Sequence, residues 1–227
     1  MWKYGLVETV IFRSGEQMGK ITAIVSHKKN KNFCDVFIDG EFKATLALEI
    51  VLKSRLKIGM DISGVELEET VSRSENVAAL NKATSYITKA FKTKKQVIEY
   101  LRGKGFSERA VFFAVDKLKE YGYIDDVEYA KKYFVSASMQ GKRLSEYKLM
   151  TKGVSIKDIE KAFEQTSLNM DEKALSLAEK YIRKKDKTGE NFAKTFRYLI
   201  SKGFSFDEAE NAVAALKEGN DGEDSFR

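Results

Sequence analysis

The chain has 227 residues, of which 33% are charged, and a formal net charge of +6; its length suits one large domain or two smaller ones. A single cysteine, Cys34, rules out an intramolecular disulfide, and a single histidine, His27, argues against Ser-His-Asp and Cys-His nucleophiles and against a zinc site of His and Cys ligands. No stretch is apolar enough to span a bilayer, and Met1 to Gly19 is broken by Glu8, Arg13 and Glu16, so a soluble cytoplasmic protein without a membrane partner is expected.

Ile21, Ala23 and Val25 alternate with polar neighbours, and so do Cys34, Val36 and Ile38 after the basic turn at Lys28 to Lys31. Asp39-Gly40 predicts a tight type I′ turn into a third short strand holding Phe42 and Ala44, which makes a small antiparallel sheet. A helix is expected from about Leu46 to Leu56, with Leu48, Val51, Leu52 and Arg55 at helical spacing; Val65 to Thr70 is too short to assign. Beyond Ser74 the period is helical to the end, with no proline to interrupt it.

That helical part repeats. Lys104-Gly105-Phe106-Ser107, Lys152-Gly153-Val154-Ser155 and Lys202-Gly203-Phe204-Ser205 are separated by 48 and then 50 residues. Leu101, Leu149 or Leu199 stands four residues before each glycine, and Ala114, Ala162 or Ala212 nine after it. Each tetrapeptide suits a helix-to-helix junction: glycine takes the left-handed conformation that ends one helix, the next residue packs back on it, and serine caps the helix that follows. Ser205 with Glu208 reads as a capping box, Ser155 with Asp158 approximates one, Thr93 with Gln96 is a similar start signal, and Asp125 with Glu128 a further start. The expected helices run from Lys94 to Lys104, from Glu108 to Tyr121, from near Asp125, and from Asp171 to Tyr181.

The fold class expected is therefore mainly α: tandem three-helix repeats stacked as an elongated array, preceded by a small antiparallel β-sheet. The divisions read as an unassigned segment at 1–19, a small β-rich region with a helix at 20–73, repeats at 74–135, 136–187 and 188–217, and a disordered tail at 218–227. Charge is uneven across them. Residues 76–152 hold 16 basic and 8 acidic side chains, whereas 1–75 hold 11 of each and 153–227 hold 13 and 15, so the middle is the part suited to phosphates.

Leu118 to Ala130, with Tyr121-Gly122-Tyr123-Ile124-Asp125-Asp126 and Tyr129-Ala130, resembles the signature of the RecX family of recombination regulators. Gly141-Lys142-Arg143 through Leu149 to Lys152-Gly153-Val154 resembles the start of that family's middle repeat, and Leu199 through Lys202-Gly203-Phe204 its last; together the likeness covers about Val77 to Leu216. Thr93 and Gln96 stand where the family commonly has Ser and Glu, and Ser145 where it has an aliphatic residue. The amino-terminal sheet resembles an extension that some members carry. The resemblance implies a non-enzymatic regulator without cofactor. It would bind the RecA recombinase filament, lie in its groove, suppress ATP hydrolysis and strand exchange, and in some members bind single- or double-stranded DNA directly.

For DNA contact the candidates are Lys92, Lys94, Lys95, Arg102 and Lys104, then Lys142, Arg143, Lys148 and Lys152, the last four read as exposed; contact of this kind is sequence-nonspecific. Lys180, Arg183, Lys184, Lys185 and Lys187 either join that track or are cations at a helix C-terminus. Asp125 and Asp126 read as a cap and a first-turn acid rather than as metal ligands. Tyr121, Tyr123, Tyr129 and Tyr133, at helical spacing, read as core rather than as base-stacking platforms. Two other classes compete. A metal-dependent nuclease would cleave DNA with Mg²⁺, and a helix-turn-helix regulator would show polar recognition helices where this chain has the acidic Asp207-Glu208-Ala209-Glu210.

Overall fold

The computed structural model describes residues 18–224; the unassigned segment, apart from Met18 and Gly19, and residues 225–227 of the expected tail lie outside them. Strands β1 (Met18–Ser26), β2 (Phe33–Ile38), β3 (Glu41–Ala47) and β4 (Asp61–Ser63) form one antiparallel sheet in the order β3-β2-β1-β4. Between β2 and β3, Asp39 and Gly40 take φ values of 51° and 84°, as a type I′ turn requires.

Two bulges re-aim the strands. An extra residue between Ile21 and Ala23 shifts the pairing of β1 with β2, so the inward face passes from Ile21 to Ile24 and Val25 is 52% exposed. Simple alternation would have put Val25 inside. The second bulge sets Ala44 opposite Val36 but Phe42 opposite Phe37; Ala44 is buried, and Phe42 lies edge-on to Phe37 with centroids 5.8 Å apart.

Helix α1 (Leu48–Lys53) starts later than expected because β3 claims Leu46 and Ala47, and it buries Ile50 and Val51 while Leu48 and Leu52 are exposed. Helix α2 (Gly64–Ile87) has no counterpart in the sequence reading before Ser74. Its start is a capping box between Ser63 and Glu66, whose hydrogen bonds hold the Glu66 carboxyl below its ordinary range. Ser74 lies buried within α2, and its Oγ accepts from the Ala47 N–H at 2.6 Å, which ties the helix to β3.

The remaining helices are α3 (Lys94–Arg102), α4 (Glu108–Glu120), α5 (Asp126–Ser136), α6 (Lys142–Thr151), α7 (Ile156–Glu164), α8 (Met170–Ile182), α9 (Gly189–Ser201) and α10 (Phe206–Asp224). Helix α10 continues into the segment read as a disordered tail. The chain divides into two compact units between Ile124 and Asp125. In the first, the sheet closes on α1 and α2 around Ile21, Val36, Ile38, Leu46 and Leu67, and Ala79 and Ala83 of α2 pack with Val97, Leu101, Ala114 and Leu118 of α3 and α4. In the second, Ala130 and Phe134 of α5 pack with Leu149, Ile159 and Ala162 of α6 and α7, and Ala174 and Ala178 of α8 with Leu199, Ala209 and Ala212 of α9 and α10.

The three-helix sets are thus α2–α4, α5–α7 and α8–α10, one helix out of phase with the division at 74–135, 136–187 and 188–217. A repeated junction fixes the period of an array. It does not say which helix opens each set.

The junctions themselves are alike at atomic level. Gly105, Gly153 and Gly203 have φ of 82°, 86° and 86°, and the N–H groups of Phe106, Val154 and Phe204 reach back to the carbonyls of Leu101, Leu149 and Leu199 at 3.3, 3.1 and 3.3 Å. These are Schellman ends, which satisfy carbonyls that the helix leaves unpaired.

Helix α6 starts without a side-chain cap, and its first amides are met by the α9–α10 junction: the Gly141 N–H donates to Lys202 O at 2.9 Å and the Arg143 N–H to Gly203 O at 3.1 Å. Ser145, one turn on, is buried and its Oγ has no hydrogen-bond partner. A buried hydroxyl without a partner carries its desolvation cost uncompensated, so Ser145→Ala is expected to raise stability by about 1 kcal/mol. An upward shift of the urea midpoint checks this, and a downward shift refutes it.

Candidate nucleic-acid interface

Helix starts separate the basic residues into two kinds. Helices α4, α5, α7, α8, α9 and α10 each carry at least one acid in the first turn, where the helix dipole favours negative charge. Helices α3 and α6 carry none; each opens on two cations, Lys94-Lys95 and Lys142-Arg143. Cations there oppose the dipole, at a cost of about 0.3–1 kcal/mol each. The dipole of these two helices therefore does not account for the paired cations at their starts.

In the first unit, Lys94 and Lys95 follow the Thr93 cap, and Lys95 approaches Glu99 at 3.8 Å. Arg102, at the other end of α3, makes two 2.7 Å bonds to Glu108; these hold the Glu108 carboxyl below its ordinary range and raise Arg102. That cation is matched locally, which weakens its candidacy. Lys104 is exposed and Lys92 half-buried, each over a tyrosine ring.

In the second unit, Lys142 approaches Glu146 at 3.8 Å and lies over the Phe163 ring at 4.3 Å. Of the four cations of α6 and its C-cap read as exposed, Arg143 is exposed and Lys142, Lys148 and Lys152 are half-buried. Lys180 lies in the last turn of α8, Arg183 is its C-cap, and Lys184, Lys185 and Lys187 follow, all exposed. One cation escaped the sequence reading: Lys202, at the third junction, whose carbonyl holds the Gly141 N–H beside Lys142 and Arg143. The recurrence of Lys before glycine at Lys104, Lys152 and Lys202 was the signal for it.

The tyrosines divide. Tyr129 and Tyr133 are half-buried in the α5 core, and burial raises both phenols above their ordinary value. Tyr121 and Tyr123 are 56% and 62% exposed, contrary to the core reading, because α4 ends at Glu120 and Gly122 turns the chain with φ 71°. Asp125 accepts from the Glu128 N–H at 3.0 Å as a helix cap. Among the described residues no group of three or more His, Cys, Asp or Glu is placed to hold a metal ion, and no helix is long and apolar enough to cross a membrane.

A family model for the regulatory protein RecX N-terminal domain matches residues 19–63, the sheet and α1. Regulatory protein RecX of Clostridium botulinum (strain Alaska E43 / Type E3) is 32% identical over 202 residues, covering 86% of this chain and 95% of that protein. Regulatory protein RecX of Caldanaerobacter subterraneus is 34% identical over 196 residues, covering 85% and 98%. The chain belongs to the RecX family. A crystal structure of regulatory protein RecX superposes with a TM-score of 0.67 at 23% identity, over 85% of this chain and 97% of that one. That of RecX from Lactobacillus salivarius gives 0.58 at 24%, over 63% and 97%. Both likenesses bear on the fold. The match at 19–63 places the sheet within a RecX domain, outside the span from Val77 to Leu216 that carries the sequence resemblance.

Proposed function

We propose that this RecX-family protein binds the RecA recombinase on its DNA filament and lowers ATP hydrolysis and strand exchange, with the basic starts of α3 and α6 facing DNA phosphates. Membership of a family of regulatory proteins, over nearly the whole length of those relatives, carries the reading. The paired cations at Lys94-Lys95 and Lys142-Arg143 support it, since their placement is unfavourable for the helices and favourable toward a polyanion. Phosphate contact of this kind carries no base information, in keeping with a regulator that acts on any sequence.

The test is DNA-dependent ATP hydrolysis by the cognate recombinase. Substoichiometric amounts of the protein are expected to lower it, because one molecule presents several sets of contacts to a repeating filament. Unchanged hydrolysis together with unchanged filament stability would remove the regulatory reading. Binding to naked DNA without any effect on hydrolysis would favour a helical-repeat DNA-binding protein that acts by itself.

A further inference from the structure

Two places in the structure share an arrangement that charge patterning does not predict. Tyr86, next to last in α2, and Tyr100 of α3 lie face to face, their centroids 3.9 Å apart and planes 6° from parallel. Lys92 lies over Tyr86 at 5.0 Å and Lys104 over Tyr100 at 5.5 Å. In the second unit Tyr181, next to last in α8, and Tyr198 of α9 stack at 4.1 Å and 13°, with Lys185 over Tyr181 at 3.1 Å and Lys202 over Tyr198 at 5.2 Å.

The repeat relates the two. Tyr100 and Tyr198 precede Leu101 and Leu199, and Lys104 and Lys202 precede Gly105 and Gly203. The middle set has Val135 next to last in α5 and Lys148 before Leu149, so it has no rings to stack.

Two aromatic rings face to face bring their negative faces together, which is less favourable than an offset or edge-on arrangement. A cation on each outer face draws on the same charge distribution and offsets that cost. Since the inner faces are occupied by the partner ring, the four ammonium groups lie on the outer faces. This closes the rings to nucleobases. It also holds the cations in place: an ammonium has three donors and no acceptor, and the ring engages one side of it.

None of these four lysines has a carboxylate partner among the described residues, whereas Lys95, Arg102, Lys117, Lys142 and Lys194 each have one. A free lysine side chain loses rotamer entropy when it is fixed. Parking it over a ring spends part of that before any ligand arrives, and pre-ordering of this sort raises affinity.

We propose that the two stacks are stations for the phosphates of a nucleic-acid backbone, one in each unit. Lys92 and Lys104 are the contacting cations in the first, Lys185 and Lys202 in the second. Tyr86, Tyr100, Tyr181 and Tyr198 are the positioning residues. The assignment rests on the reading that this chain meets DNA, and it adds the two stacks to the contacts at the starts of α3 and α6.

The probe is a labelled oligodeoxythymidylate, titrated with the full chain by fluorescence anisotropy over a salt series. Wild type is expected to bind with a strong salt dependence. Combining Lys92→Gln, Lys104→Gln, Lys185→Gln and Lys202→Gln should flatten the slope of log K against log salt by about 3, at about 0.7 per single-strand phosphate contact. Lys→Arg at the same four positions should restore it. Tyr100→Phe with Tyr198→Phe keeps the rings and should bind as wild type, whereas Tyr100→Leu with Tyr198→Leu should lower affinity roughly tenfold.

Circular dichroism and thermal melts run alongside. A lysine-to-glutamine variant with a lowered melting temperature but a wild-type salt slope would make the stacks merely helix-to-helix glue and overturn the proposal. Wild type that fails to bind the oligonucleotide at low salt would instead overturn the DNA reading on which it rests.

Discussion

Gly203→Ala is expected to destabilise the second unit by about 2–5 kcal/mol, against about 1–2 kcal/mol for Gly122→Ala in the first. Both glycines have positive φ, 86° and 71°, where an L residue is strained. They differ in their surroundings. A Cβ on Gly122 would meet nothing within 4 Å, whereas one on Gly203 would lie 2.4 Å from Leu144 N and 2.5 Å from Leu144 Cβ. The obstruction is backbone at the start of α6, which cannot move aside without breaking the hydrogen bonds from Gly141 and Arg143 to Lys202 and Gly203. Gly141 faces the same closeness from the other side, its would-be Cβ 2.4 Å from Gly203 C and O. Urea melts of the two variants check the ranking, and faster amide exchange in α6 for Gly203→Ala locates the damage. Equal costs for the two would mean that the close approach contributes nothing.

That junction shows what the sequence makes legible and what it hides. The local part was readable: a glycine at a helix end followed by serine and an acid specifies a left-handed turn and a cap, and these positions have that geometry. The contact between Gly141 and Gly203 was not readable, since it joins residues far apart in sequence and leaves no periodic trace. Helix α2 was hidden for a related reason. It buries Leu67, Thr70, Ser74, Ala79 and Ala83, a stripe of mostly small residues that lets neighbours come close but gives little hydrophobic contrast. In the sheet, alternation located β1 correctly but gave the wrong inward residues after the bulge at Ile21/Ala23.

The candidate interface was legible in kind rather than in membership. Charge counting picked the basic middle of the chain, and the starts of α3 and α6 lie within it. Counting could not show that Arg102 is matched by Glu108, because the partners belong to successive helices brought together by a turn. Nor could it pair Tyr86 with Tyr100 or Tyr181 with Tyr198, since the first ring of each pair sits on a helix whose place in the set the repeat left open.

The same question of phase has a direct test in α5. Phe134 is 1% exposed, its ring meets Phe163 edge-on at 5.2 Å, and its carbonyl accepts from Lys173 Nζ at 3.2 Å. Around it lie Ala130, Leu149, Val154, Ile159 and Ala162, with Phe163 against its ring, a small packed core in which truncating the phenyl ring leaves a cavity. Phe134→Ala is therefore expected to cost about 3–5 kcal/mol, the range for an aromatic truncated in a packed core. The loss belongs to the unit from Asp125 onward. Hydrogen exchange followed by mass spectrometry should show α5, α6 and α7 exchanging faster while α2, α3 and α4 keep wild-type protection, because their shared core of Ala79, Val97, Leu101 and Leu118 contains nothing from α5. If α5 instead completed the first set, as the order of the sequence repeats suggests, loosened protection in α3 and α4 would accompany the change, and the boundary after Ile124 would have to move.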